Sequence, residues 1–67
     1  MTITLNGQEH TTELDTPTIT EFVASLPMGE QPVLVELNGN AILAREFENT
    51  RISEGDTVEV IRMVAGG

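Results

Sequence analysis

The chain has 67 residues, of which 39 % are hydrophobic, so it is long enough for one small domain and too apolar for a disordered segment. It has no cysteine and a single histidine, which excludes disulfides, a Cys-based zinc site and a metal site built from two histidines of one chain. Three arginines, no lysine and 11 acidic residues give a net charge of −8, the wrong sign for binding nucleic-acid phosphates or an anionic membrane. No apolar run approaches the roughly 18 residues of a membrane span, and the N-terminus lacks the basic start of a signal peptide. We therefore expect an acidic cytoplasmic domain that binds other proteins and holds no metal or cofactor.

The first two predicted elements form a hairpin. Polar and apolar residues alternate over residues 2–5, which predicts a half-buried strand with its aliphatic side chains in a core. Asn6-Gly7 follows and favours a tight hairpin turn, because both residues tolerate a positive φ. Residues 9–14 then predict a polar strand at a sheet edge. His10 lies in this strand without a neighbouring nucleophile or orienting group, so we predict no catalytic role for it.

A short amphipathic helix is predicted next. Thr18 and Glu21 have the spacing of a capping box, in which each side chain bonds to the backbone N–H of the other residue. One apolar stripe follows at helical spacing: Ile19, Phe22, Val23 and Leu26. Pro27 and Gly29 end the pattern after about nine residues. A helix this short is marginal alone, so it must dock its stripe on a sheet.

The second half of the chain opens with the most apolar run. Residues 33–37 are apolar except for Glu36 and include two β-branched valines, so they are the best candidate for a central strand. Residues 38–40, Asn-Gly-Asn, predict a second turn. Residues 41–44 are a short apolar run that predicts a brief strand.

The remaining body of the chain is predicted to be a loop, a turn and a last strand. Residues 45–51 are mixed and loop-like, with Phe47 and Ile52 as anchors to the core. After a turn at residues 54–56, residues 57–64 predict the last strand, in which Val58 and Val60 alternate with the polar Thr57 and Glu59.

These elements predict an α+β fold with a mixed sheet of four or five strands and one helix packed across one face. The first and last strands can lie side by side in the middle of the sheet, in parallel. Residues 1–64 would form a single domain, followed by a flexible tail at 65–67. The sheet side chains expected beneath the helix are Ile3, Leu5, Val33, Val35, Leu37, Val58 and Val60.

One helix covers only one face of a sheet, so the other face is expected to be free. Most of the residues expected on this free face are Thr and Glu. The alternation along the strands also places three apolar residues there: Leu34, Ile61 and Met63. These three are either scattered surface residues, which are common, or a docking patch close to the C-terminus, where Met suits adaptable contacts. A bulge near Arg62 would move the side chains that follow it to the opposite face of the sheet.

The C-terminal end is the most informative segment. Ala65-Gly66-Gly67 follows the predicted strand, and residues without a Cβ atom can thread a channel too narrow for side chains. Three to five extended residues reach about 10–17 Å, enough to deliver the last carboxylate into the active site of another protein. A carboxylate becomes reactive only after conversion to an acyl phosphate or acyl adenylate. The alternative is an ordinary frayed terminus.

With these features in place, the whole chain resembles the ThiS-type sulfur carriers of the ubiquitin-like β-grasp superfamily. The resemblance lies in the length, the acidic charge, the order of elements and particular residues: 33–39, Ile42, Arg45-Glu46, Ile52, Gly55-Asp56 and 64–67. The Gly-Gly ending marks only the superfamily, since the small subunit of molybdopterin synthase and ubiquitin share it. The length and the Asn-Gly to Arg-Glu spacing favour the thiamine branch.

The resemblance implies a role for the tail. An E1-like adenylyltransferase would use ATP to adenylate Gly67, and sulfur from a cysteine desulfurase or another donor would replace AMP to give a C-terminal thiocarboxylate. Thiazole synthase would then accept the sulfur in thiamine biosynthesis. Gly66 would provide clearance, while Ala65 and Val64 would fix the direction in which the tail leaves the sheet. The chain would be a reusable co-substrate, with no bound cofactor and no catalytic residue of its own.

Three other functions stay open on the sequence. The activated terminus could acylate lysines of target proteins, as a ubiquitin-like modifier does. It could carry sulfur for another pathway, of molybdopterin or cysteine type. The domain could also be an interaction module whose diglycine is accidental.

Overall fold

The computed structural model describes residues 1–28 and 32–64. These residues form five strands, one α-helix and one 3₁₀ helix. In chain order the elements are β1 Thr2–Leu5, β2 Gln8–Thr11, α1 Ile19–Ala24, β3 Val33–Leu37, β4 Asn40–Ile42, the 3₁₀ helix Ala44–Asn49 and β5 Thr57–Arg62. None of the described helices is long and apolar enough to cross a membrane.

The five strands form one mixed sheet in the order β2-β1-β5-β3-β4. β1 runs parallel to β5, and all other neighbours are antiparallel. The predicted mixed sheet, the parallel pairing of first and last strands and the edge position of β2 are confirmed. β3 is an inner strand, as expected. The central strand is β5, because it lies between the β1–β2 hairpin and the β3–β4 hairpin.

The core lies between α1 and one face of the sheet. Its buried members are Ile3, Ile19, Phe22, Val35, Ile52, Val58 and Val60. Leu5, Val33 and Leu37 are partly buried against this cluster, so the predicted helix-facing set is confirmed. The β3–β5 ladder is continuous up to the Val33–Arg62 pair, and therefore no bulge reverses the parity there.

The helix begins as predicted and ends early. The Thr18 backbone N–H donates to Glu21 Oε1 at 2.8 Å, and the Glu21 N–H donates to Thr18 Oγ1 at 3.1 Å, which completes the capping box. The predicted length of about nine residues is wrong, since α1 has 6 residues. Ser25 caps its end by donating its hydroxyl to the Phe22 carbonyl at 2.6 Å, and Pro27 cannot continue a helix. The predicted stop at Gly29 lies outside the described residues.

Residues 45–51, predicted as a loop, lie mostly in the 3₁₀ helix. The Glu46 N–H donates to the Leu43 carbonyl at 2.8 Å, which starts this helix. A single short 3₁₀ segment leaves no 3.6-residue pattern in the sequence, so periodicity could not reveal it. The predicted contacts of this segment with the core are confirmed, because Ile52 is fully buried and Phe47 packs against the core.

Two strands are shorter than predicted. β2 ends at Thr11, and the chain then turns because the Thr12 hydroxyl accepts the Leu14 N–H at 3.2 Å. β5 ends at Arg62 rather than at residue 64.

Candidate functional site

β5 carries the chain to the surface at the end of the sheet. Beyond its last ladder pair, the Met63 N–H still donates to the Pro32 carbonyl at 2.9 Å. Val64 follows and is 84 % exposed. Ala65, Gly66 and Gly67, the predicted tail and covalent site, lie outside the described residues. The described body therefore ends on the surface, directly before the predicted tail.

The three predicted patch residues come together on the free face of the sheet. Leu34 on β3 lies directly opposite Ile61 on β5, and Met63 continues the same side two residues further on. Leu34, Ile61 and Met63 are 41 %, 50 % and 53 % exposed. We call these three residues the sheet-face patch. Its use in docking stays a prediction.

Two carboxylates lie beside the sheet-face patch. Glu36 and Glu59 are a directly opposed pair on β3 and β5, each two residues from a patch residue. Like charges directly opposite each other destabilise a sheet. The pair is thus not explained by the stability of the sheet, and it gives the apolar patch an acidic border.

A groove lies on the other side of the sheet, between α1, β3, the end of β4 and the 3₁₀ helix. Its volume is about 540 Å³. Its main apolar lining residues are Val23, Val33, Ile42, Leu43 and Phe47. Leu34 and Met63 of the sheet-face patch also border this helix-side groove. The sequence did not predict the groove, because one of its walls, with Ala44 and Phe47, belongs to the 3₁₀ helix that was predicted as a loop.

The side chains of two asparagines hold β5 in place. Asn6 adopts a positive φ of 50°, accepts the Val60 N–H at 2.8 Å and donates to the Val60 carbonyl at 3.2 Å. Asn38, with a φ of 52°, accepts the Thr57 N–H at 2.9 Å and donates to Asp56 at 3.2 Å. Both asparagines were predicted only as turn residues. The one signal in the sequence is the amide, which can both donate and accept, at the start of both turns.

Glu21 at the helix start has a perturbed carboxyl group. The backbone N–H of Thr18 lowers the pKa of Glu21 below its ordinary value of 4.5, with smaller contributions from the Thr18 side chain and the Arg51 charge. Partial desolvation opposes this lowering of the pKa. Glu21 thus stabilises the start of α1 in its ionised form.

His10 is half-buried on β2 and packs edge-on against Phe22, with ring centroids 5.7 Å apart. This contact joins the imidazole to a core residue, and the absence of a catalytic role for His10 stays a prediction. Among the described residues there is no group of three or more His, Asp or Glu side chains that could hold a metal ion.

Known proteins resemble this chain along nearly its whole length. The model of the ThiS family matches residues 2–67. The sulfur carrier protein ThiS of Bacillus subtilis (strain 168) is 30 % identical over 63 residues, which cover 94 % of this chain and 96 % of that protein.

Two solved structures from Geobacter metallireducens share the fold. The crystal structure of its thiamine biosynthesis protein (ThiS) has a TM-score of 0.86 and 32 % identity, with 100 % of both chains covered. The solution structure of a thiamine biosynthesis protein from this organism has a TM-score of 0.82 and 32 % identity, covering 100 % of this chain and 88 % of that one. The predicted β-grasp fold is thereby confirmed.

Proposed function

This chain belongs to the ThiS family, and from that premise we propose that it is a sulfur carrier of thiamine biosynthesis in which Gly67 carries the sulfur. The main support is the family match over residues 2–67, which includes the diglycine that the chemistry requires. A second support is that the described body reaches the surface at Val64, next to the tail. In this proposal the chain is a substrate of its partner enzymes and contributes no catalytic residue.

The proposed chemistry takes place at the C-terminal carboxylate. An E1-like adenylyltransferase binds ATP, and a carboxylate oxygen of Gly67 attacks the α-phosphate and releases pyrophosphate. A sulfur nucleophile at the oxidation level of sulfide then displaces AMP and leaves a thiocarboxylate. If the donor is a persulfide formed by a cysteine desulfurase, its attack gives an acyl disulfide. A thiol then cleaves the S–S bond, which releases the thiocarboxylate and forms a new disulfide. Thiazole synthase accepts the sulfur, and water returns an oxygen to the carrier.

The composition of the tail suits this task. Gly66 and Gly67 have no side chain that would collide with the walls of a narrow active-site channel. Val64 and Ala65 set the direction in which the tail leaves the body. We propose residues 1–64 as the domain and 65–67 as the tail, whose three residues span at most about 11 Å.

The sheet-face patch is the proposed docking site for the activating enzyme. Its three apolar side chains are exposed beside Glu36 and Glu59, which favours a partner surface with an apolar centre and basic residues next to it. The net charge of −8 would steer the chain toward such a surface, and added salt would slow the association.

Deletion of Gly67 tests the proposed function. All seven buried core residues lie between positions 3 and 60, so we expect the melting temperature of the truncated chain to match that of the full chain. The shortened tail should not reach the catalytic centre, and ATP-dependent adenylation should be lost. The measurements are ATP–pyrophosphate exchange with the E1-like enzyme of the same organism and the intact mass of the carrier. Full adenylation of the truncated chain would contradict the proposal.

The intact mass of chain isolated from its own cells distinguishes the alternatives. Replacement of one oxygen by sulfur is the expected result. Isopeptide adducts on other proteins would instead indicate a modifier. Normal thiamine synthesis in cells that carry only the truncated chain would indicate another sulfur pathway.

A further inference from the structure

We propose that the helix-side groove is a second contact surface for the enzyme that activates Gly67, and that it receives an apolar segment of that enzyme. This inference rests on the proposed function and extends it to the opposite side of the sheet. The activating enzyme would then hold the end of the sheet from both sides, at the sheet-face patch and at the groove.

The length of the tail limits where the enzyme can be. Three residues follow Val64 and span at most about 11 Å. The reacting phosphate of ATP must therefore come within that distance of Val64, and the enzyme must cover the surrounding end of the body. Met63 immediately precedes Val64 and borders the groove. The groove thus opens beside the point that the enzyme has to approach.

The chemistry of the groove selects an apolar occupant. Val23, Val33, Ile42 and Phe47 are only half-buried, and Leu43 at its rim is 57 % exposed. Thr20 is the one polar residue among its described lining. A charged segment would lose its hydration there without finding a partner, whereas aliphatic or aromatic side chains would remove apolar surface from water on both sides.

The size of the groove favours a segment rather than a single side chain. Its volume of about 540 Å³ lies within the range of about 300–1,000 Å³ that is usual for ligand sites. Leu34 and Met63 belong to the sheet-face patch and also border the groove. The two surfaces are therefore continuous around the end of β3 and β5, so one enzyme can contact both without a gap.

Leu43→Gln is the test, because Leu43 is exposed at the rim and lies outside the buried core. We expect its melting temperature to stay close to that of the unchanged chain. The KM of the carrier in ATP–pyrophosphate exchange should rise about tenfold with little change in kcat, since burying a leucine is worth at least one decade in affinity. Ala24→Gln places a larger polar side chain at another lining position and should raise KM similarly. Gln8→Leu makes the reverse exchange at the far edge of the sheet and should leave KM unchanged.

The outcomes separate this inference from the proposed function. If the unchanged chain is adenylated and both groove variants keep its KM, the inference is wrong and the proposed function stands. If Gln8→Leu raises KM as much as Leu43→Gln, the effect is not specific to the groove and the inference is also wrong. Self-association that both groove variants abolish, seen by analytical ultracentrifugation, would assign the groove to a second copy instead. An unchanged chain that the enzyme does not adenylate would overturn both proposals.

Discussion

The two halves of β5 differ in what holds them. Val58 pairs with β1 on one side and β3 on the other, and the Asn6 amide extends the contact on the β1 side to Val60. Ile61 and Arg62 pair within the described residues only with β3. The first half buries Val58 and Val60, whereas the second exposes Ile61 and leads to the exposed Met63 and Val64.

The two halves of β5 therefore have different roles in the molecule. The first half is fixed from both sides and contributes to the core. The second half presents exposed apolar side chains and leads to the end of the described body at Val64. Substitutions in the first half should therefore change folding, and those in the second half should change partner binding.

The largest expected difference is between Val60→Asp and Ile61→Asp, neighbours on opposite faces. Val60 is 4 % exposed, and an unpaired carboxylate there costs more than the roughly 3–5 kcal/mol that a core of this size supplies. Val60→Asp should therefore be unfolded by circular dichroism. Ile61→Asp should melt like the unchanged chain but raise the KM for adenylation at least about tenfold. Loss of folding in Ile61→Asp would show that its side chain belongs to the core.

A smaller effect is expected when the Asn6 side chain is removed. Asn6→Gly keeps the positive φ but removes the bonds to the Val60 N–H and carbonyl, which should lower the free energy of unfolding by about 1–2 kcal/mol. Chemical denaturation measures this loss. Asn38→Gly is the matched control, because its side-chain bonds are exposed and water can replace them; it should lose less. Equal losses of unfolding free energy in both variants would contradict a larger contribution of the Asn6 side chain to stability.

The smallest expected effect is a pH dependence at the helix start, away from β5. Folding lowers the pKa of Glu21, chiefly through the Thr18 N–H. The folded state is thus favoured while Glu21 is ionised, and this stabilisation is lost as the pH falls from about 4.5, its ordinary pKa, through the lower folded value. Glu21→Gln keeps an acceptor but cannot ionise. Its deficit in melting temperature should be present at pH 7 and shrink below pH 4.5; a deficit that grew with acidity would contradict this assignment.

The features that the sequence predicted well depend on near neighbours. The Thr18–Glu21 capping box spans three residues, and both Asn-Gly turns have the positive φ that the dipeptide favours. The alternation along β3 and β5 correctly predicted which side chains share a face of the sheet, including Leu34 and Ile61. In each case, the physical cause lies within a few residues.

The missed features depend on distant parts of the chain. Asn6 contacts Val60, 54 positions away, and no local pattern specifies that contact. The groove is lined by residues of α1, β3, β4 and the 3₁₀ helix, and thus depends on packing between elements that are distant in the sequence. The site at Gly67 stays a proposal that rests on composition and resemblance.

The central place of β5 has a consequence for how the protein is made. β5 is the last of these elements to leave the ribosome, yet it is the strand that unites the β1–β2 and β3–β4 hairpins. A nascent chain that stops before β5 has two hairpins and no sheet to join them. Prematurely terminated products should therefore remain unfolded and open to proteases, and only a chain whose synthesis has passed the final strand can complete the sheet.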